Sequence, residues 1–260
     1  MASLQAITKP DFTEKSWRRS PNYLFTANDA VCPLIVQEMT RAIMMGMPIA
    51  FLCVDEKYSV VAVLGLEAET NYFVGKDGGW QGKYIPARYR AYPFVLAKNE
   101  EEKLVLCINE DSGLLNDDDS AEAFFDDEGE LSATVKQVME LLSAIRVGLQ
   151  SAARICKLLN QHKLFKPWEL EIELEDGKKR IEGLFSIDEA ALNELSDEAF
   201  IELRQSGALI VVYCQLLSMQ RITDLAQFAQ LKSKADSQPP TNELYLDGVN
   251  DGGNISFHNL

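Results

Sequence analysis

The spacing of apolar residues divides the chain into a strand-rich first half and a helix-rich second half. Short runs of β-branched and aromatic residues predict strands at 49–54, 60–66, 72–74, 84–87, 92–97 and 104–108. One early helix is predicted over 34–45, because Pro33 suits a first turn, Gly46 favours an end and Pro48 prevents continuation. Residues 55–57 form a predicted turn between the first two strands. These features together predict a mainly antiparallel N-terminal sheet.

A long helix is predicted after residue 131, because nine apolar residues are separated alternately by four and three positions. They are Leu131, Val135, Val138, Leu142, Ile145, Leu149, Ala152, Cys156 and Leu159. A period of 3.5 residues has two interpretations: a helix face packed on the sheet, or a coiled-coil seam that makes a homodimer. Val147, Ile155 and Leu158 widen the apolar face, which favours packing on the sheet.

The C-terminal part reads as a β-hairpin followed by helices. Predicted strands at 168–175 and 178–185 flank Asp176-Gly177, a strong hairpin signal. Helices are predicted to begin at Ser186 and Ser196, the second ending at Gly207. The run 208–217 is rich in β-branched residues and predicts a buried strand, and a last helix covers 218–231. The expected fold class is therefore α+β.

The composition predicts three regions along the chain. Residues 1–22 show no periodicity and are interpreted as an irregular arm, and 23–232 form the α+β domain. An acidic loop over 110–130, with Phe124 and Phe125 as its apolar anchors, marks a candidate sub-division. Residues 233–260 are dominated by Ser, Asp, Asn, Gly and Pro and are predicted to be a flexible tail.

Charge and cysteine usage restrict the partners and the compartment. With 25 Lys and Arg against 40 Asp and Glu, the net charge is −15, which repels nucleic acids and anionic lipids. The five cysteines are scattered without a C-x-x-C pair, as expected for free thiols in a reducing compartment. No apolar run approaches the ~20 residues of a spanning helix, and the first residues lack a signal-peptide core. A cytoplasmic protein is expected.

The motifs of common catalytic and cofactor sites are missing from the sequence. There are two histidines, of which His162 falls at the predicted end of the long helix and His258 in the tail. The cluster Gly75, Gly78, Gly79 and Gly82 departs from phosphate-binding loops in its spacing and is better explained as a turn. The acidic loop does not follow the calcium-loop pattern, which needs glycine where Glu122 stands. No catalytic residue, metal site or cofactor is predicted.

The stretch 77–96 is unusually dense in aromatic residues, arginines and prolines. It supplies the candidate binding residues Trp80, Tyr84, Arg88, Tyr89, Arg90, Tyr92 and Phe94. Arginine forks bind carboxylates or phosphates, and tyrosines supply rigid contact area. Within a strand, Arg88 and Arg90 would share one face. The alternative is that the aromatic residues fill the core and the arginines pair with acidic residues.

A series of motifs in fixed order accompanies this stretch. In the first half these are Pro33-Leu34 with Glu38, Pro48-Ile-Ala-Phe51, Leu64-Gly-Leu66, Asn71-Tyr-Phe73, Asp77-Gly-Gly-Trp80, Tyr84-Ile-Pro86 and Arg90-Ala-Tyr-Pro-Phe94. In the second half they are Phe125-Asp-Asp-Glu-Gly129, Gly183-Leu184, Asp188-Glu189, Leu195-Ser-Asp197 and Gly207-Ala-Leu209. With these motifs the chain resembles the SapC family of bacterial proteins, named after a component associated with surface-layer export. A departure lies at Gln215, in a region where many relatives carry a histidine.

The resemblance implies an accessory role in outer-membrane uptake, surface-layer export or peptide and glycan processing, and it brings no catalytic residues. The first hypothesis is a non-catalytic cytoplasmic protein that holds a protein or peptide partner with residues 80–94. The second is an enzyme that acts on a small molecule or glycan through carboxylates and tyrosines such as Tyr84 and Tyr89. The third is a structural homodimer through the helix from Leu131 to Leu159.

Overall fold

The α+β class is confirmed by the structure, a computed structural model that describes residues 3–19, 22–116, 121–174 and 177–237. Its strands are β1 (Leu4–Ala6), β2 (Ser16–Trp17), β3 (Val31–Pro33), β4 (Ile49–Val54), β5 (Lys57–Val63), β6 (Phe94–Lys98), β7 (Leu104–Asn109), β8 (Leu115–Asn116), β9 (Glu122–Ala123), β10 (Phe165–Pro167), β11 (Leu170–Leu174), β12 (Gly177–Ile181) and β13 (Leu184–Ile187). Its helices are α1 (Lys9–Phe12), α2 (Val36–Met44), α3 (Ala87–Arg90), α4 (Ala133–Gln161), α5 (Glu189–Asn193), α6 (Asp197–Ser206), α7 (Ala208–Ser218) and α8 (Arg221–Ser237).

An antiparallel five-stranded sheet, in the order β10–β13–β4–β5–β3, forms the larger core. The predicted strands β4 and β5 pair as a hairpin whose turn residues Asp55 and Glu56 both have positive φ, at 48° and 59°. Such a turn matches the twist of the two strands and sets their register. The early helix α2 also forms as predicted, ending next to Gly46, which has a φ of 91°.

A second core lies around the smaller sheet β1–β7–β6, and it corrects the interpretation of residues 1–22 as irregular. Strand β1 pairs with β7, and both Phe12 and Trp17 are buried. The ring of Phe12 packs edge-on against Phe124 at 4.9 Å between centroids. Single aromatic residues that bury against distant parts of the chain leave no periodic signal, which explains the wrong prediction.

Strand β2 also brings the acidic segment 110–130 into the fold, because it pairs with β8 on one side and β9 on the other. The predicted apolar anchor Phe124 is fully buried, and Phe125 is half-buried. The segment is therefore partly ordered structure rather than a simple exposed loop. Its residues 117–120 lie outside the described part of the chain.

The long helix α4 connects the two cores and confirms the predicted apolar stripe. Its first half packs on the smaller sheet through Val135, Val138, Leu142 and Ile145, and its second half packs on the larger sheet through Ala152, Ile155, Cys156 and Leu159. Helix α2 crosses α4 at Gly148, where an added Cβ would lie 2.7 Å from the Cβ of Ile35. The stripe is occupied by the chain's own residues, so it does not form the exposed coiled-coil seam of the homodimer hypothesis.

Three predicted strands are wrong. Residues 208–217 form helix α7 instead, and residues 84–87 lead into the single turn of α3. Residues 72–74 are irregular except for one bridge between Val74 and Trp80, which closes the predicted glycine-rich turn. In α7 the side chains of Val211, Val212 and Gln215 are buried, while Ile210 and Leu217 are exposed. Burial of one helix face outweighs the β preference of these residues.

The remaining C-terminal predictions agree with the structure in most respects. Strands β11 and β12 pair as the predicted hairpin, although residues 175–176 at its turn lie outside the described part. Ser196 caps α6, which ends at Gly207 with a φ of 77°. The preceding helix α5 is capped by Asp188 rather than Ser186, so that prediction is two residues off. Helix α8 runs to Ser237, so residues 233–237 of the predicted flexible tail are helical, and the rest of that tail lies outside the described part.

Candidate functional site

The seven candidate residues do not form one continuous exposed surface. Tyr84, Tyr89 and Phe94 are buried, and Trp80 and Tyr92 are half-buried, so the core-filling interpretation accounts for most of the aromatic residues. Arg88 and Arg90 are exposed, but they belong to the one-turn helix α3 rather than to a strand. Two positions on a helix are separated by a rotation of about 200°. The two guanidinium groups therefore lie on different sides of α3, which corrects the prediction that they share a face.

The buried carboxylate of Glu38 holds this segment in place. Its Oε2 accepts hydrogen bonds from the Tyr84 hydroxyl at 2.7 Å and from the Ala87 backbone N–H at 2.8 Å. Its Oε1 accepts from the backbone N–H of Ile35 at 2.9 Å, at the start of its own helix α2. One side chain therefore connects α2 to the first residue of α3. From the sequence Glu38 stands out only as a motif residue, because a glutamate in a first helical turn ordinarily indicates a cap.

A second contact, which is partly buried, fixes the other end of the helical turn. The Tyr89 hydroxyl donates a hydrogen bond to Asp29 Oδ2 at 2.8 Å. On the opposite side, Arg90 lies over the ring of Tyr84, with its guanidinium carbon 5.8 Å from the ring centroid. Arg90 also borders a shallow depression of about 180 Å³, together with Arg19. The guanidinium group of Arg90 thus packs on the Tyr84 ring, whereas Arg88 borders a separate and larger cleft.

Both buried tyrosines hold their protons at neutral pH. Burial, followed by the hydrogen bond and negative charge of Glu38, raises the pKa of Tyr84 to about 12. Burial also raises the pKa of Tyr89 well above its ordinary value, and the neighbouring Cys32 and Asp29 act in the same direction. The two hydroxyls therefore act as hydrogen-bond donors to carboxylates.

We expect the raised pKa of Tyr84 to make the folded chain more sensitive to alkali. An unfolded tyrosine ionises near pH 10, so the stabilisation is complete below pH 10 and is lost as the pH rises towards 12. Between pH 9 and pH 11 the unfolding free energy of the parent should fall by about 1 kcal/mol more than that of Tyr84→Phe. Urea unfolding of both proteins at the two pH values measures this difference. An equal loss in both would contradict the assignment.

Arg88 borders a cleft of about 520 Å³ between α3, β6 and α4, here called the Arg88 cleft. Its floor is apolar and consists of Phe94, Leu96, Leu142, Ile145 and Leu149. One wall is a stacked pair of rings, Phe25 and Tyr92, with centroids 3.7 Å apart. A volume of several hundred Å³ with an apolar floor and a few polar groups is typical of ligand sites.

The rim of the Arg88 cleft carries the groups that set its charge. They are Asp29, Arg88, Arg146 and Gln150. Asp29 accepts the bond from Tyr89, whereas neither Arg88 nor Arg146 forms an ion pair with any residue that the structure describes. Two exposed guanidinium groups therefore stand over an apolar floor. Phe25, Asp29, Arg146 and Gln150 were missed by sequence reasoning because they come from distant segments and carry no motif.

His162 lies at the end of the long helix, as predicted. It follows the last residue of α4, and its Nε2 lies 2.9 Å from Glu202 Oε2 on α6. The described ranges contain no group of three or more His, Cys, Asp or Glu side chains that could hold a metal ion. His258 lies outside those ranges.

Comparison with known proteins gives a family match. The family model described as SapC matches residues 7–225, which is most of the chain. No curated protein matches the chain, and no solved structure matches it either. Within the described residues, no single helix has the length and apolar character needed to cross a membrane, although the pair α6 and α7, bent by 91°, passes on length and composition together.

Proposed function

The chain belongs to the SapC family, and from that premise we propose that it is a non-catalytic binding and accessory protein that holds a protein or peptide partner in the Arg88 cleft. The observation that carries this proposal is the pair of guanidinium groups, Arg88 and Arg146, above an apolar floor. Asp and Glu outnumber Lys and Arg by 40 to 25 in this chain, and the cleft reverses that balance with two arginines against the single carboxylate of Asp29. Cations that stand without an ionic partner at a cleft are the groups that an acidic partner would contact.

The composition of the cleft supports a protein partner. Arginine, tyrosine and phenylalanine are enriched in protein interfaces, and they are the residue types present at Arg88, Tyr92 and Phe25. The tyrosines of the enzyme hypothesis are instead buried, and their hydroxyls donate to Glu38 and Asp29. The binding hypothesis therefore comes first.

We place this binding role in the cytoplasm. All five cysteines are free thiols, and Cys32, Cys107, Cys156 and Cys214 are buried. Unpaired buried cysteines are usual in a reducing compartment. The family resemblance supports an accessory task connected with outer-membrane uptake, surface-layer export or peptide and glycan processing. A glycan or small molecule is the alternative occupant.

The experiment is affinity capture with the tagged full-length chain, followed by reconstitution. The parent, Arg88→Ala/Arg146→Ala and the control Arg154→Ala are compared, since Arg154 is an exposed arginine of α4 away from the cleft. We expect one protein to be captured by the parent and the control and to bind the double variant at least tenfold more weakly when purified. Equal binding to the double variant, or loss with Arg90→Ala alone, would contradict this site.

A further inference from the structure

Strand β6 is the outer strand of the sheet β1–β7–β6 in the described part of the chain. Its pairing with β7 is antiparallel, and the Asn109 N–H donates to the Pro93 carbonyl at 3.0 Å. In an antiparallel pair, successive residues direct their backbone N–H and C=O groups alternately towards the partner strand and away from it. Val95 and Ala97 therefore form hydrogen bonds with β7, and the N–H and C=O groups of Leu96 and Lys98 point away from the sheet. The hydrogen bonds on the other side of β7 are consistent with this pattern. The carbonyl of Leu106, which lies opposite Leu96, accepts a hydrogen bond from the N–H of Ile7, the residue after β1, and so points away from β6.

This outward edge borders the Arg88 cleft. Val95 and Leu96 of β6 line the cleft together with Leu142, Ile145 and Leu149 of α4. A groove between an edge strand and a helix is a known arrangement for binding extended peptides. The strand edge supplies main-chain hydrogen bonds, and the groove receives alternate side chains of the peptide.

The charges at the rim indicate which peptides fit. The guanidinium groups of Arg88 and Arg146 offer forked donors that match a carboxylate. The one acidic residue that lines the cleft, Asp29, accepts a hydrogen bond from the Tyr89 hydroxyl. The floor between them accepts apolar side chains. A peptide with carboxylates beside alternating apolar residues therefore complements both the charge and the surface of the cleft.

We propose that the Arg88 cleft takes an extended acidic and apolar segment of a partner protein, which adds as a fourth strand to the outer edge of β6. This inference rests on the proposed function and adds the mode of binding and the chemistry of the partner. The cleft would recognise a short linear segment, so a synthetic peptide should be sufficient for binding.

The probe is a phage-displayed library of random twelve-residue peptides, selected on the full-length chain. We expect enriched peptides that are acidic with alternating apolar residues, and the best one is synthesised. Calorimetry should show its Kd rise at least tenfold for Arg88→Ala/Arg146→Ala and stay unchanged for Arg154→Ala. No enrichment above that on the double variant would overturn the inference.

Two N-methylated versions of the peptide test the added strand. Methyl groups on alternate backbone nitrogens remove either the N–H groups that face β6 or those that face away. One version should bind at least tenfold more weakly and the other should bind like the parent peptide. If both bind normally while the arginine variants still weaken binding, the proposed site stands and the strand addition is wrong. If the arginine variants have no effect, both proposals fail.

Amide hydrogen exchange identifies the occupant of the edge. On adding saturating peptide, exchange at Leu96 and Lys98 should slow at least tenfold, while Val95 and Ala97 should change little. Protection of Leu96 in the free chain would instead mean that the edge is already occupied. Protection independent of concentration would indicate another segment of this chain, and protection that grows with concentration would indicate a second copy. Either result would overturn the partner assignment.

Discussion

Replacing Glu38 with alanine is expected to lower the free energy of unfolding by about 4 kcal/mol, because three buried donors lose their acceptor together. The donors are the backbone N–H groups of Ile35 and Ala87 and the hydroxyl of Tyr84. A buried donor without a partner costs about 1–3 kcal/mol, and Glu38 itself is only 5% exposed, so little water can substitute. In a chain of this length the change corresponds to a drop of about 10 °C in Tm.

Two further variants separate the contacts of Glu38. Tyr84→Phe removes one of the three hydrogen bonds and should cost about 1 kcal/mol. Glu38→Gln keeps the size and one acceptor oxygen but turns an amide N–H₂ towards a donor, and should cost about 2 kcal/mol. Urea unfolding of the three variants measures the series. A loss below 1 kcal/mol for Glu38→Ala would show that the carboxylate does not hold α2 and α3 together.

Replacing Gln215 with leucine is expected to lower the free energy of unfolding by about 3 kcal/mol, because the side-chain amide replaces a hydrogen bond between two strands of the larger sheet. Continuing the register of β4 and β13 would place Ile187 opposite Ile49. The Gln215 side chain bridges these two residues instead, accepting from the Ile187 N–H at 3.0 Å and donating to the Ile49 carbonyl at 3.4 Å. Gln215 is fully buried, so leucine would leave the Ile187 N–H without its acceptor, and the Ile49 carbonyl would keep only the hydrogen bond from the Ser218 hydroxyl at 3.3 Å.

Gln215→His is the matched control for this prediction. A neutral imidazole has one donor and one acceptor nitrogen, so it can serve both Ile187 and Ile49. Gln215→His should lower the free energy of unfolding by about 1 kcal/mol, which is less than the effect of leucine although the side chain changes shape. Histidine is also the residue type that the family resemblance implies for this region. Equal losses for leucine and histidine in chemical unfolding would mean that shape rather than hydrogen bonding matters at this position.

Much of the fold was predictable because it follows from local patterns. The β4–β5 hairpin, the end of α2 at Gly46 and the long helix α4 each have a strong periodic or turn signal. Helix α7 was predicted as a strand because Val211 and Val212 favour β structure in isolation. As a helix it buries one face and brings Gln215 and Ser218 to Ile49 across the chain, and such distant contacts leave no trace in local composition.

The candidate site was predictable only in part. Arg88, Tyr89, Tyr92 and Phe94 do line the Arg88 cleft, whereas Trp80, Tyr84 and Arg90 pack elsewhere. The density of these residues in the sequence indicated a special segment but not the direction of each side chain. One turn of helix in place of a strand changes the direction in which every side chain points. The role of all seven in binding stays a prediction.

The 29-residue helix α4 has a consequence for the cooperativity of the whole molecule. One continuous hydrogen-bonded rod contributes its first half to one core and its second half to the other, so neither half can melt without exposing part of the rod. Leu142 and Leu149, at the floor of the Arg88 cleft, lie where the rod passes from one core to the other. A ligand bound in the Arg88 cleft would therefore contact α4 at the boundary between the two cores and would stabilise both cores together.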